Sequence, residues 1–385
     1  MKHCFRCLPA WVAGFLILTA CASTPEIQEN TSAAGKNTAE KPVVMTGLAS
    51  LDMVWVMDVD QRHPMSPAGF SQPALAEQEI IIGGRDKRVH VYDLHGNELR
   101  RIAIEAACES GALALNPGLV VLGDVNGTLY GINPQTGRIL WRQRLSSVML
   151  GHPVKVDNDF MVQTADNRIY RFSPEGKKRW SYAGQPGGLI MHQGSAPRVF
   201  GDTVYAIFTN GDVVALRAGS GDLIWRRQLL LDTSAVTLNE MKVPVADPVL
   251  AGNVLIVSFY QGDVIALSVT DGQRLWQRHL SLKSTPIVQG KRLLAATSNG
   301  AVVSLDTASG ETLWRQKLSV GELVGPALSQ GKLFAGDDHG YVYALTHDGR
   351  KIGVLSLSGR IDRPPTTVPG GVLVRNNLGG LYLIR

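Results

Sequence analysis

Apolar residues in this chain fall in short runs, each broken by a polar stretch that contains glycine. Residues 286–318 show the pattern once. Apolar-rich segments at 286–289, 292–297 and 301–305 are followed by a fourth that carries Trp314. Asn299-Gly300 separates the second from the third, and a looser turn through Gly310 separates the third from the fourth. Runs of Val, Leu, Ile and Ala joined by Asn-Gly and other Gly turns are strong hairpin signals. The pattern predicts four antiparallel strands in succession.

The unit recurs. Gly-x-x-x-Trp occurs at Gly137/Trp141, Gly176/Trp180, Gly221/Trp225, Gly272/Trp276 and Gly310/Trp314, and in four copies another glycine lies ten residues earlier (Gly127, Gly211, Gly262, Gly300). A proline opens each unit, at Pro73, Pro153, Pro197, Pro248, Pro286, Pro326 and Pro365, and Gly111-Ala112-Leu113 fills the double gap after Pro73. Eight openings spaced by about 42 residues match the length of a four-stranded propeller blade. The eighth unit ends at Arg385 after its third strand, whereas residues 51–59 form an orphan strand with Trp55 and no hairpin partner. An unclosed blade exposes strand edges. The sequence therefore predicts an all-β, eight-bladed β-propeller over residues 47–385, with residues 51–59 as the fourth strand of the last blade. Arg100 and Gly353 stand at the tryptophan position of blades one and seven, and those joints are expected to pack differently.

Composition agrees with this reading. The 41 Gly and 19 Pro, with 6% aromatic and 18% charged residues, suit a turn-rich β domain. Net charge is +5, and Lys2 and Arg6 of the leader account for two of these charges. A balance this weak gives no reason to expect nucleic acid as a partner. Beyond the N-terminus no run of 18 apolar residues exists to span a bilayer.

The first twenty residues have the order of a secretory leader: Lys2 and Arg6, an apolar stretch at 8–18, then Leu18-Thr19-Ala20-Cys21. That ending matches the bacterial lipobox, which implies that Cys21 is acylated and becomes the mature N-terminus. Several acyl chains at ~0.8 kcal/mol per buried CH₂ make a stable anchor. Ala22 and Ser23 follow, with no Asp, which implies sorting to the outer membrane on its periplasmic face. Residues 21–46 are polar and aperiodic, a tether with a span of roughly 25–30 Å. Cys108 would be the one cysteine left beyond Cys21, and it is expected to be a small buried residue near a blade opening.

No catalytic template is met: H-E-x-x-H, G-x-S-x-G, the phosphate-binding P-loop and paired C-x-x-C are absent from the mature chain. His90 and His95 flank a strand end and are expected at the surface. Asp124, Asp166, Asp337 and Asp338 recur at the hairpin position, where Asp serves the turn itself rather than a calcium ion. The chain is expected to be no enzyme, to need no cofactor and to hold no metal.

The unit A-L-x-x-x-[TSD]-G-x-x-[LI]-W resembles the tryptophan-docking repeat of quinoprotein dehydrogenases, without their vicinal cysteines. Lipobox, tether and eight compact blades together resemble the B lipoproteins of the bacterial outer-membrane β-barrel assembly machinery. That resemblance implies a lipid-anchored scaffold that binds a periplasmic domain of the barrel-assembly subunit. The family has a longer connection between its fourth and fifth blades. Here the interval from Pro197 to Pro248 is the longest, with its extra residues around 230–246. By alignment on Ser195-Ala196-Pro197, the family's contact loop falls at Leu189, Met191 and His192, which makes these the candidate partner-binding residues. Leu189 matches, Met191 keeps apolar character, and His192 stands in place of an arginine. Val243 and Val245 stand nearest to the family's acidic pair. The alternatives from other classes are a quinone-dependent periplasmic redox enzyme and a glycan-binding propeller lipoprotein.

Overall fold

The computed structural model describes residues 49–59, 71–187, 194–229 and 242–385. The repeat at 286–318 folds as Ile287–Gln289, Arg292–Ala296, Ala301–Asp306 and Thr312–Lys317, hydrogen-bonded in chain order. Seven of the eight sheets are built from consecutive strands in this way. The eighth joins Thr366–Val368, Gly371–Arg375 and Gly380–Ile384 to Met53–Asp58, which pairs antiparallel with the last strand of the chain. The N-terminal segment thus supplies the outer strand of the final blade, as its orphan tryptophan suggested.

Blade seven departs from the expected pattern twice. Its inner strand, Leu323–Ser329, begins before Pro326, and a register shift between Val324 and Ala327 takes Gly325-Pro326 out of the ladder. A proline has no N–H to donate, so within a sheet it is confined to an edge strand, a strand's first residue or such an irregularity, and Leu323–Ser329 is the inner edge of its blade. The blade also gains a fifth strand, Ala49–Ser50, which runs parallel to Lys351–Ser356 with Ala49 opposite Gly353.

The core consists of eight apolar clusters, one in each joint between neighbouring blades. Middle strands such as Leu119–Gly123 and Thr128–Ile132 are buried along their whole length because a blade covers each face. Their apolar runs are therefore continuous, whereas the outer strands alternate.

Tryptophan locks the joints. Trp141, Trp180, Trp225 and Trp276 each donate the indole N–H to a carbonyl of the following blade, at Pro174, Ala218, Val269 and Thr307, over 2.8–3.0 Å. Trp55 does the same across the closure, to Leu94 O at 3.0 Å. The ring lies on the glycine of the next repeat. A Cβ at Gly221, whose φ is +80°, would sit 2.7 Å from the Trp180 ring. This contact explains why glycine and tryptophan recur together.

The two exceptions are solved differently. Arg100 donates its Nε–H to Gln135 O at 2.8 Å, the equivalent carbonyl, while its fork holds Glu79. At Gly353 the N-terminal segment crosses instead, and Leu51 enters the cluster between blades seven and eight. Trp314 keeps the ring contact with Gly349, but its indole N–H is buried without an acceptor. Replacing Trp276 with Phe should therefore cost more than the same change at Trp314, by about 1 kcal/mol for the lost hydrogen bond. Chemical denaturation of the two variants measures the difference, and equal losses would show that the indole bonds are energetically idle.

Candidate docking face around the axial mouth

In an antiparallel four-stranded meander, the connection between blades and the turn between second and third strands emerge on one face. Backbone hydrogen bonds tie them together there: Val125 N–H to Ala107 O, Ala165 to Val148, Ser298 to Ser281, Asp338 to Glu322 and Asn377 to Arg360. Seven of the eight inter-blade connections converge on the axis, where Gln72, Gly111, His152, Gly194, Asp247, Thr285 and Arg363 contribute to a cleft of about 30 Å³. That is roughly the volume of one water molecule, against hundreds of Å³ for a pocket holding an organic cofactor. The axial residues do not fit a quinone.

The described ends of both connections that the sequence singled out, 185–187 with 194–197 and 242–247, lie at this face. Leu189, Met191 and His192 lie outside the described residues, as does Cys21. The stem that leads to them is held by Asn167, fully buried, which donates Nδ2–H to Gln185 O at 2.8 Å. Asn167 also accepts from the Thr209 N–H at 2.9 Å. On the far side, the Ala196 N–H donates to Asp247 Oδ1 at 2.6 Å, and the Asp247 N–H donates to the Thr285 hydroxyl at 2.9 Å. Asp247 thus fastens the opening of blade four to the end of the long connection. Sequence reasoning passed over it, although it is the acidic residue among those that precede the opening prolines.

Val243 and Val245, nearest to the family's acidic pair, are buried. Val243 bridges Tyr260 in a short antiparallel pairing. These two positions therefore anchor the base of the long connection and present nothing to a partner. Beside them the face is charged. Glu322 accepts from the Tyr260 hydroxyl at 2.6 Å and from Lys283 Nζ at 2.8 Å. Burial and the neighbouring Glu322 push the Tyr260 phenol up to about 12, so this donor stays protonated. Arg85 pairs with Glu109 at 2.6 Å. Burial, and Arg375 close by, bring Arg363 down to about 10.

Of the four acidic turn residues, Asp124 and Asp337 satisfy the backbone of their own turn, whereas Asp166 accepts from the Thr164 hydroxyl and Asp338 from the Glu322 N–H of the neighbouring connection. Asp124 accepts from the Asn126 and Thr128 N–H groups and from the Tyr130 hydroxyl. Asp337 accepts from the N–H groups of His339 and Tyr341 and from the hydroxyls of Ser319 and Tyr343. Among the described residues, no group of three His, Cys, Asp or Glu side chains is placed to hold a metal. Cys108 is buried near the opening of blade two, donates to Gly123 O at 3.1 Å, and has its thiol pushed up to about 12 by burial. It is packing, not a nucleophile.

One expectation fails. His95 is exposed, but His90 is buried, with Nδ1 3.0 Å from Glu98 and Nε2 3.2 Å from Asp86. It sits within the blade-one strand Arg88–Asp93 rather than at its end, and the two carboxylates supply the polar partners that burial demands.

The family model described as "Outer membrane protein assembly factor BamB" matches residues 85–303 and 298–383. The chain belongs to the BamB family. Family relatives include the assembly factor of Bordetella pertussis, 28% identical over 355 residues and 90% of each chain. That of Escherichia coli K12 is 26% identical, covering 81% of this chain and 83% of its own. Among solved structures, BamB from Moraxella catarrhalis superposes with a TM-score of 0.76 at 20% identity, over 87% of this chain and 99% of that one. A quinohemoprotein alcohol dehydrogenase from Comamonas testosteroni reaches 0.67 at 12% identity, over 87% and 76%. The last two likenesses speak for the fold alone. An assembly factor and a dehydrogenase share this ring, so the architecture does not separate BamB from an enzyme.

Proposed function

We propose that this protein is a non-enzymatic, lipid-anchored scaffold of the machinery that assembles and inserts β-barrel proteins in the outer membrane. It docks a periplasmic domain of the barrel-assembly subunit. The observation that carries this reading is the BamB family match across the blades. A ring whose axial cleft holds about one water supports a binding role over cofactor chemistry. Docking is assigned to the face where connections 186–194 and 230–246 emerge, with Leu189, Met191 and His192 as contacts, since loops on a rigid scaffold commonly carry recognition. Cys21 is assigned as the lipidated residue that holds the ring at the periplasmic side of the outer membrane.

Affinity isolation from outer membranes tests the reading. The barrel-assembly subunit should co-purify with the parent chain. Leu189→Asp should cut its recovery at least tenfold with an unchanged melting temperature. Cys21→Ser should release the protein from membranes under a high-salt wash. Absence of the subunit from the parent preparation would sink the scaffold reading. A stable Leu189→Asp protein that captures normally would move docking to residues 230–246, and a salt-resistant Cys21→Ser protein would exclude the acyl anchor.

A further inference from the structure

Around the axial mouth, backbone and hydroxyl groups tie neighbouring connections together. The Gly111 N–H donates to Gly151 O at 3.0 Å, and the Gly325 N–H donates to the Ser284 hydroxyl at 2.8 Å. The opening of blade four is tied differently. Its Ala196 N–H donates to a carboxylate oxygen, Asp247 Oδ1, at 2.6 Å, while Asp247 Oδ2 lies 3.9 Å from His152 Nε2. The Asp247 N–H is taken up by the Thr285 hydroxyl at 2.9 Å. From the opening of blade five, this one residue therefore reaches the openings of blades three, four and six.

The backbone is packed closely at both described ends of the connection before blade four. A Cβ at Gly187 would run into the Thr209 hydroxyl, and one at Gly194 would stand 2.7 Å from Leu150 Cβ. Asn167 and Thr209 fix the way out of blade three, and Leu150 and Asp247 fix the way into blade four. The long connection before blade five is held by the Val243–Tyr260 bridge and then ends at Asp247 itself. The acceptor for one contact-bearing connection is thus a side chain at the end of the other.

A carboxylate suits that task. Its hydrogen bonds to N–H groups are shorter and stronger than those of a neutral acceptor, and its second oxygen is free to face another partner. The Asp247 side chain is 21% exposed, which sets it back in the cleft rather than out in the path of a docking domain.

We propose that Asp247 is a positioning residue for docking: its carboxylate fixes the connection before blade four against the end of the long connection, so that the two present one surface. The inference rests on the docking face assigned above. Connections held in place before the partner arrives spare the cost of ordering them on binding.

Affinity isolation, together with hydrogen exchange on the free chain, tests it. Asp247→Ala should melt within about 3 °C of the parent, since a water fits the vacated space and can accept from the Ala196 N–H. In the free protein the substitution should speed amide exchange at 194–196 and at 242–247 by about tenfold, while the middle strands keep their protection. Recovery of the barrel-assembly subunit should fall at least about fivefold. Asp247→Asn keeps an oxygen at the same reach and should restore most of both the protection and the recovery. If the parent captures the subunit and Asp247→Ala captures it equally well, the inference is overturned and the docking reading stands. Unchanged exchange at either connection would also overturn it, as would a loss of recovery matched by a large fall in melting temperature. An asparagine variant as poor as the alanine one would mean that the charge itself meets the partner, which ends the positioning role. Absence of the subunit from the parent preparation would instead sink the docking reading, and this inference with it.

Discussion

A chain that begins at Met65 should lose the cooperative transition of the entire ring, not the local order of one blade. The truncation removes the whole outer strand of blade eight, Met53–Asp58, with its ladder to Gly380–Ile384. It also removes Leu51 from the joint between blades seven and eight, and Val59, Trp55 and Met57 from the joint between eight and one. Four such side chains at ~1.5 kcal/mol or more each amount to at least about 6 kcal/mol, a large share of the 5–15 kcal/mol typical of a domain. Because every blade is held by its two neighbours, opening one joint leaves the ring without the contact that made it closed. Differential scanning calorimetry should show a transition lowered by at least about 10 °C or lost. A truncation beginning at Gly47 should melt as the full chain does. Equal melting of the Met65 chain would refute closure by this strand.

Asp337→Ala should be among the most damaging single substitutions, and Asp337→Asn should be mild. The Asp337 carboxylate is almost fully buried and accepts four hydrogen bonds, from the N–H groups of His339 and Tyr341 and the hydroxyls of Ser319 and Tyr343. Alanine strands these donors in a dry turn, at a cost of about 3 kcal/mol or more. The asparagine control is already present in blade eight. Asn376 occupies the equivalent turn, accepts from the N–H groups of Leu378 and Gly380, and reverses the last bond by donating to the Tyr382 hydroxyl. Urea denaturation of both variants measures the contrast. Similar losses for Asn and Ala would mean that the charge, not the hydrogen-bond geometry, stabilises the turn.

The architecture was legible in the sequence because a propeller is a local repeat. Each unit forms its strands from residues close in the chain, so the periodicity of Gly, Pro and Trp reports blade number, strand order and register. Of the two pairings between the chain's distant ends, Met53–Asp58 with Gly380–Ile384 was readable, since one end of the repeat lacked a strand and the other had one to spare, whereas Ala49–Ser50 beside Lys351–Ser356 left no trace in the repeat. The candidate site was much less legible. Leu189, Met191 and His192 came from alignment alone. Val243 and Val245 proved to be buried, and Asp247, which ties the two connections together, carries no repeat signature. His90 was misjudged because only the ladder shows it inside the strand, opposite Ile82 and Arg101, where its ring meets the Asp86 and Glu98 carboxylates.

By itself, then, the sequence determined eight blades, their order and the chemistry of the joints. Only the tertiary structure decided which residues meet at the axis and how Arg100 and Leu51 replace missing tryptophans. The physical reason is the range of the interactions. Hairpin pairing and glycine–tryptophan docking recur at fixed spacings along the chain and leave a periodic trace. Convergence of connections on the axis brings together residues hundreds of positions apart, such as Arg375 and the Ser71 carbonyl, and has no period to betray it.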